Sequence, residues 1–206
     1  MKLETVVRIA IVVVLSALFS ISTIIYNELD GKRKEVKQLR AEINELEQTQ
    51  ESISNKNVAH KNYKIQTIKD YILLNYSSVP EEVSDIIANS VVDASGEYAV
   101  DYRLIVGVIE IESFFNPMAK SKAGARGLMQ IIFGVWSNKF NLSTERKLHD
   151  IKLNINIGTA ILRYYINSNN NSVTKALQAY NGGGDGYADK VYSSVGKFLV
   201  FSTNRD

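Results

Sequence analysis

Residues 102–130 read YRLIVGVIEIESFFNPMAKSKAGARGLMQ, and this stretch decides what kind of domain the chain builds. Its first part is a helix: Asp101 precedes it as an N-cap, apolar residues recur at helical spacing, and Asn116-Pro117 ends it near Phe114. Glu112 falls three, four and seven residues after Ile109, Val108 and Ile105, so its carboxyl group emerges from an apolar stripe. Glu110 points roughly 200° away from it, on the side of Arg103 and Gly107, a position suited to solvent or an ion pair. Burial disfavours the charged form of a carboxyl group, and a raised pKa suits a general acid. Glu112 is the candidate acid/base by this reading; the alternative is a glutamate neutralised by a structural arginine, with Arg126 the candidate partner.

The rest of the domain is mostly α. Ile65, Ile68 and Ile72 mark a short helix, and Pro80-Glu81-Glu82 opens a second that offers Val83, Ile86, Ile87 and Val91 to the core and stops near Gly96. Further helices are expected over 154–165, over 172–180 and after Gly186, and no stretch alternates as a strand should. In front of this domain lie two other segments. Ile9 to Tyr26 is an uncharged apolar run, fit for one transmembrane helix and favoured over a cleaved signal peptide because it continues past the weak Ser20-Ile21-Ser22 site. Leu29, Val36, Leu39, Ile43, Leu46 and Ile53 then follow the three-four spacing of a coiled-coil seam, with Lys32 and Gln50 as polar interruptions. That spacing predicts either a homodimer through 29–53 or a lone amphipathic helix serving as a stalk. Asn55 to Asn62 lack apolar periodicity and read as a hinge. The expected segments are 1–27 (cytoplasmic tail and anchor), 28–63 (stalk and hinge) and 64–206 (catalytic domain).

Composition narrows the chemistry. The chain has no cysteine, which excludes disulfides, thiolate metal sites and a cysteine nucleophile. Its two histidines, His60 and His149, have no metal-ligand spacing, so neither a metal nor another cofactor is expected. Residues 77–206 carry thirteen charges of each sign, so nucleic acid is not an expected partner. Asp150 beside His149 reads as solvated loop polarity. Lys2 and Arg8 favour a cytoplasmic N-terminus, whereas Lys32, Arg33 and Lys34 oppose it.

Five motifs in order carry a resemblance. Glu112-Ser113, the loop through Ala119 and Ser121, and Gly127-Leu128-Met129-Gln130 come first; Asp150, Asn154-Ile155 and Gly158 follow; then Ala179-Tyr180-Asn181-Gly182-Gly183 and Tyr187. Over about residues 80–195 the chain resembles the soluble-lytic-transglycosylase family, with its goose-type-lysozyme-like helical fold. The resemblance implies Glu112 as the single catalytic residue. It implies substrate contacts from Ser113, Ser121, Met129, Gln130, Tyr180, Asn181 and Tyr187. Gly124 and Gly127 would let the backbone approach a sugar ring, Met129 and Gln130 would form a groove wall, and the hydroxyls of Tyr180 and Tyr187 would orient Glu112. Two departures stand out: a short connection from Asn181 to Tyr187, and Phe133-Gly134 where a proline is usual. Trp136 reads as core.

The activity implied is cleavage of the β-1,4 bond between N-acetylmuramic acid and N-acetylglucosamine in peptidoglycan. The lone acid protonates the glycosidic oxygen while the substrate's acetamido group stabilises the developing charge. The carboxylate then takes the proton of the muramyl C6 hydroxyl, closing a 1,6-anhydro ring without water. A muramidase would need a second carboxylate, from Asp150, Asp185 or Asp189. A third reading is a glycan-binding structural component working through its stalk. Since the wall lies outside the cytoplasmic membrane, the expected place is a single-pass protein of the bacterial inner membrane with its domain on the periplasmic side. Phages use such wall cutters as well.

Overall fold

A computed structural model of the chain describes residues 3–204; Lys2, invoked above for orientation, lies outside them. The described residues are predominantly helical and divide into two compact units, 1–58 and 59–206.

The described residues of the first unit are all helical and form the N-terminal part of α1 (Leu3–Asn75). It contains a window long and apolar enough to cross a membrane by length and composition. Within it the hydroxyls of Ser16, Ser20 and Thr23 donate to carbonyls three or four residues back, at 2.6–2.9 Å, so each is satisfied inside the helix. Further along, Leu29, Val36, Leu39, Ile43, Leu46 and Ile53 are all exposed on the single chain. The residues read as a hinge, 55–62, are helical and continuous with α1, because nothing there breaks a helix even though nothing gives it an apolar face.

The second unit packs the end of α1 with α2 (Glu81–Tyr98), α3 (Tyr102–Ser113), α5 (Ile151–Ser168), α6 (Val173–Tyr180) and α7 (Tyr187–Thr203). Helix α2 ends two residues past Gly96, where Ala99 turns left-handed at φ 51°. Asp101 caps α3 by accepting from the Arg103 amide, Asp150 caps α5 through the Leu153 amide at 2.8 Å, and Ser172 caps α6. Ile68, Ile72, Ile87, Ile105, Ile109, Leu162 and Phe198 make the main core.

Helix α3 is central: every residue from Leu104 to Glu110 is buried. It packs closely on α7, since a Cβ at Gly107 would lie 2.8 Å from Val195 Cγ2 and 3.2 Å from the Val191 carbonyl. Between α3 and α5 the chain forms a hairpin of two-residue strands, β1 (Ala125–Arg126) and β2 (Ile131–Ile132), then the short α4 (Phe133–Trp136) and a 3₁₀ turn at Glu145–His149. These pack on α5 through a second apolar cluster of Ile131, Leu148, Ile157 and Ile161.

Candidate active site

Helix α3 delivers Glu112 in its last turn, after which Phe114 and Phe115 take left-handed conformations (φ 50° and 61°) and Phe115 is swallowed by the core. The turn fixes the direction in which Glu112 leaves the helix. Its carboxyl group lines an open cleft of about 430 Å³, whose walls come from the 121–136 hairpin region, α5 and the end of α6. Burial raises the Glu112 pKa, and a hydrogen bond from Tyr187 partly opposes this. Tyr187 donates its hydroxyl to Glu112 Oε1 at 2.6 Å. Arg126 does not neutralise Glu112; its guanidinium donates to Glu145 Oε2 at 2.6 Å and to the Gly124 carbonyl at 3.0 Å. Among the described residues no cationic side chain pairs with Glu112. A largely desolvated carboxyl with one hydroxyl donor and an open face toward the cleft can release and recover a proton.

The other glutamate differs from its expectation. Glu110 is 4 % exposed, and its Oε2 accepts from Tyr71 at 2.8 Å and from Ser194 at 2.6 Å. The reason is that α3 is covered by α7 as well as by the rest of the core, so the side of the helix that carries Glu110 is not left to solvent.

Of the residues assigned to substrate, Ser121, Gln130, Tyr180 and Asn181 line the cleft with Glu112. The Ser121 oxygen accepts from the Ala125 amide at 3.1 Å, leaving its own proton free to donate. Gln130 has φ 47° and donates Nε2 to the Gly127 carbonyl at 2.9 Å. Three others lie behind the cleft surface. Ser113 is buried and donates to the Ile109 carbonyl at 3.1 Å. Tyr187 is 5 % exposed and meets Glu112 from behind. Met129 is 0 % exposed and forms no groove wall; it fills a notch over Gly158, where a Cβ would come within 2.6 Å of the Met129 side chain.

Tyr180 also departs from expectation. Its hydroxyl donates to the Met129 carbonyl at 2.8 Å, not to Glu112, so only the tyrosine of α7 orients the acid. Burial pushes the Tyr180 hydroxyl well above its ordinary range, which keeps it a donor.

Asn154 organises the cleft from below. It accepts from the Met129 amide at 2.8 Å and donates to the carbonyls of Arg126 (3.0 Å) and Leu148 (2.7 Å). Gly127, at φ 78°, makes room for this rather than for a sugar: a Cβ there would sit 2.2 Å from the Leu148 carbonyl and 2.3 Å from Asn154 Nδ2. Gly124, at φ 87°, has nothing within 4 Å of such a Cβ.

His149 donates Nδ1–H to the Pro117 carbonyl at 3.0 Å and does not line the cleft. Asp150 serves as the α5 cap, and Asp185 and Asp189 are exposed. Sequence reasoning missed Trp136 and Tyr165, which both line the cleft and meet edge to face at 6.1 Å. Trp136 carries no motif; only its place after the hairpin brings it there.

A family profile described as the transglycosylase SLT domain matches residues 90–197, which contain Glu112 and every cleft-lining residue. The chain belongs to that family. Curated relatives of this SLT domain include a "membrane-bound lytic murein transglycosylase C" of Photorhabdus laumondii, 36% identical over 115 residues, covering 49% of this chain and 32% of the relative. A "membrane-bound lytic murein transglycosylase E" of Buchnera aphidicola is 34% identical over 109 residues, covering 48% and 47%. The chain thus spans between a third and a half of the relatives' lengths. Among solved structures, the 70 kDa soluble lytic transglycosylase of Escherichia coli aligns over 69% of this chain and 26% of its own, at 22% identity and a TM-score of 0.45.

Proposed function

We propose that the SLT domain is a peptidoglycan lytic transglycosylase that cleaves between N-acetylmuramic acid and N-acetylglucosamine and leaves 1,6-anhydro ends. One observation carries this: Glu112 is the sole acidic residue among those lining the cleft, and burial holds its pKa up. Hydrolysis by either usual geometry needs two carboxyl groups across the bond. A single acid suffices where the substrate supplies the rest. Glu112, protonated, gives its proton to the leaving glycosidic oxygen as the C1–O bond breaks, and the acetamido carbonyl stabilises the positive charge at C1. Glu112, now ionised, removes the C6 hydroxyl proton as that oxygen bonds to C1. Tyr187 stabilises the intermediate carboxylate, while Ser121, Gln130 and Asn181 offer polar groups to the glycan and Trp136, Tyr165 and Tyr180 offer flat apolar faces.

The two relatives are named for membrane attachment and for action on murein. The apolar window in α1 supports an anchor in the inner membrane, with the SLT domain on the periplasmic side where the wall lies. We place a second copy of the chain on the exposed seam from Leu29 to Ile53, because its six apolar side chains are otherwise left in water.

The deciding experiment digests purified wall with the full chain in detergent and weighs the products. Anhydro-terminated fragments support the proposal. Fragments heavier by one water would make the domain a muramidase, and no fragments would leave it a glycan-binding component.

A further inference from the structure

Helices α3 and α7 run antiparallel, and one face of α7 carries Tyr187, Val191, Ser194 and Phe198 at offsets of zero, four, seven and eleven. At one end Tyr187 meets Glu112. In the middle Val191 and Val195 close on Gly107. At the other end the Phe198 ring stands edge to face against Tyr102 at 6.0 Å and against Tyr71 at 5.0 Å. Such apolar contacts tolerate a small slide of one helix along another. A buried carboxylate does not, because its acceptors lose partners that water cannot replace. Glu110 is that carboxylate, with Ser194 of α7 and Tyr71 of α1 both donating to Oε2.

We infer that Glu110 is a positioning residue: through Ser194 and Tyr71 it fixes the register of α7 on α3 and so holds Tyr187 against Glu112, a role that rests on the acid/base reading above. Tyr187 is the first residue of α7, entered from Gly186 at φ 74°, with no side-chain cap to steady it. Its placement is therefore set from further along the helix. Ser194 lies two turns on, on the same face, where a hydrogen bond of 2.6 Å admits little sliding. Lys197 approaches Glu110 at 3.9 Å but is 67 % exposed, too loose to set a register.

The test uses the full chain in detergent micelles with glutamate labelled with ¹³C at the side-chain carboxyl, the Glu112 resonance being the one lost in Glu112→Gln. The groups that face Glu112 are Tyr187 from α7 and Tyr180 from α6. Those that face Glu110 are Tyr71 and Tyr76 near the end of α1 and Lys197 from α7. Tyr187→Phe removes the donor that lowers the Glu112 midpoint and should raise it. Ser194→Ala, which never touches Glu112, should raise it by a comparable amount, and the double variant should go no higher than Tyr187→Phe alone. Glu110→Gln, keeping the shape and one acceptor oxygen, repeats the test should Ser194→Ala lose its near-ultraviolet signature. A Glu112 titration superimposable on wild type in a folded Ser194→Ala or Glu110→Gln protein overturns the inference. Absence of wall cleavage by the wild type would sink the enzymatic reading while leaving the titration readable.

Discussion

Tyr187 and Glu112 are joined by a 2.6 Å hydrogen bond that links the first residue of α7 to the last turn of α3. The bond stabilises the ionised carboxylate, whereas burial stabilises the protonated acid, and burial is the larger effect. Glu112 is thereby raised without being locked in one protonation state.

Replacing Glu112 by glutamine should lower wall cleavage by about 10²–10⁴-fold or more, the usual worth of a general acid, with the circular dichroism spectrum unchanged. Stability should move the other way. The folded state holds the Glu112 proton more tightly than the unfolded chain, so its stabilising share is complete below the unfolded value and lost as pH rises through the folded one. Melting temperatures taken across pH should show Glu112→Gln gaining on wild type as pH rises above 4.5, the ordinary value. A constant gap would contradict the raised pKa.

With Tyr187→Phe the carboxylate loses its donor, so the pKa rises further. The first step needs protonated Glu112, and activity falls as pH rises through its pKa. Initial rates measured against pH should show the alkaline limb displaced upward in the variant; displacement toward acid would mean the hydroxyl was stabilising the protonated form.

For Asn154→Ala we expect a loss of about 2–4 kcal/mol in denaturant unfolding, because a buried amide and two buried carbonyls lose their partner together. Cleavage should fall too, since the 126–130 turn carries Gln130. A loss under 1 kcal/mol would mean that water or a backbone shift replaces the side chain.

Two glycines three residues apart should respond differently to alanine. At Gly124 the cost is that of a left-handed alanine, about 1–2 kcal/mol. At Gly127 the added carbon also strikes the Leu148 carbonyl and Asn154, so the loss should be clearly larger. Equal melting shifts would refute the close approach.

Trp136 is the chain's single tryptophan and lines the cleft. Saturating a soluble N-acetylglucosamine oligomer should therefore change the intrinsic tryptophan emission. Unchanged emission with binding shown by calorimetry would place the glycan elsewhere.

Much of this was readable beforehand for identifiable reasons. Helices α3, α5 and α6 carry side-chain caps and apolar spacing, α7 follows Gly186 with apolar spacing alone, and Glu112 sits in a motif dense enough to mark it. What escaped the sequence depended on partners it does not display. Helical geometry gave Glu110 and Glu112 different faces but not the second covering layer that buries Glu110. The Gly-Leu-Met-Gln motif identified Met129 and Gln130 together, yet adjacent residues diverge, and only Gln130 reaches the cleft. The β1–β2 hairpin escaped because two-residue strands are too short to alternate. Tyr180 and Tyr187 looked interchangeable, and only the positions of α6 and α7 separate a tyrosine that braces a carbonyl from one that holds the acid.

Gly158 gives the slot a remote adjustment. The missing side chain on α5 admits Met129, whose carbonyl in turn steadies the ring of Tyr180 on the ligand side. Anyone wishing to widen or narrow the passage for a bulkier or slimmer ligand therefore has a handle that no ligand ever touches. Drift at that hidden spot would retune fit while the visible lining stayed the same letter for letter.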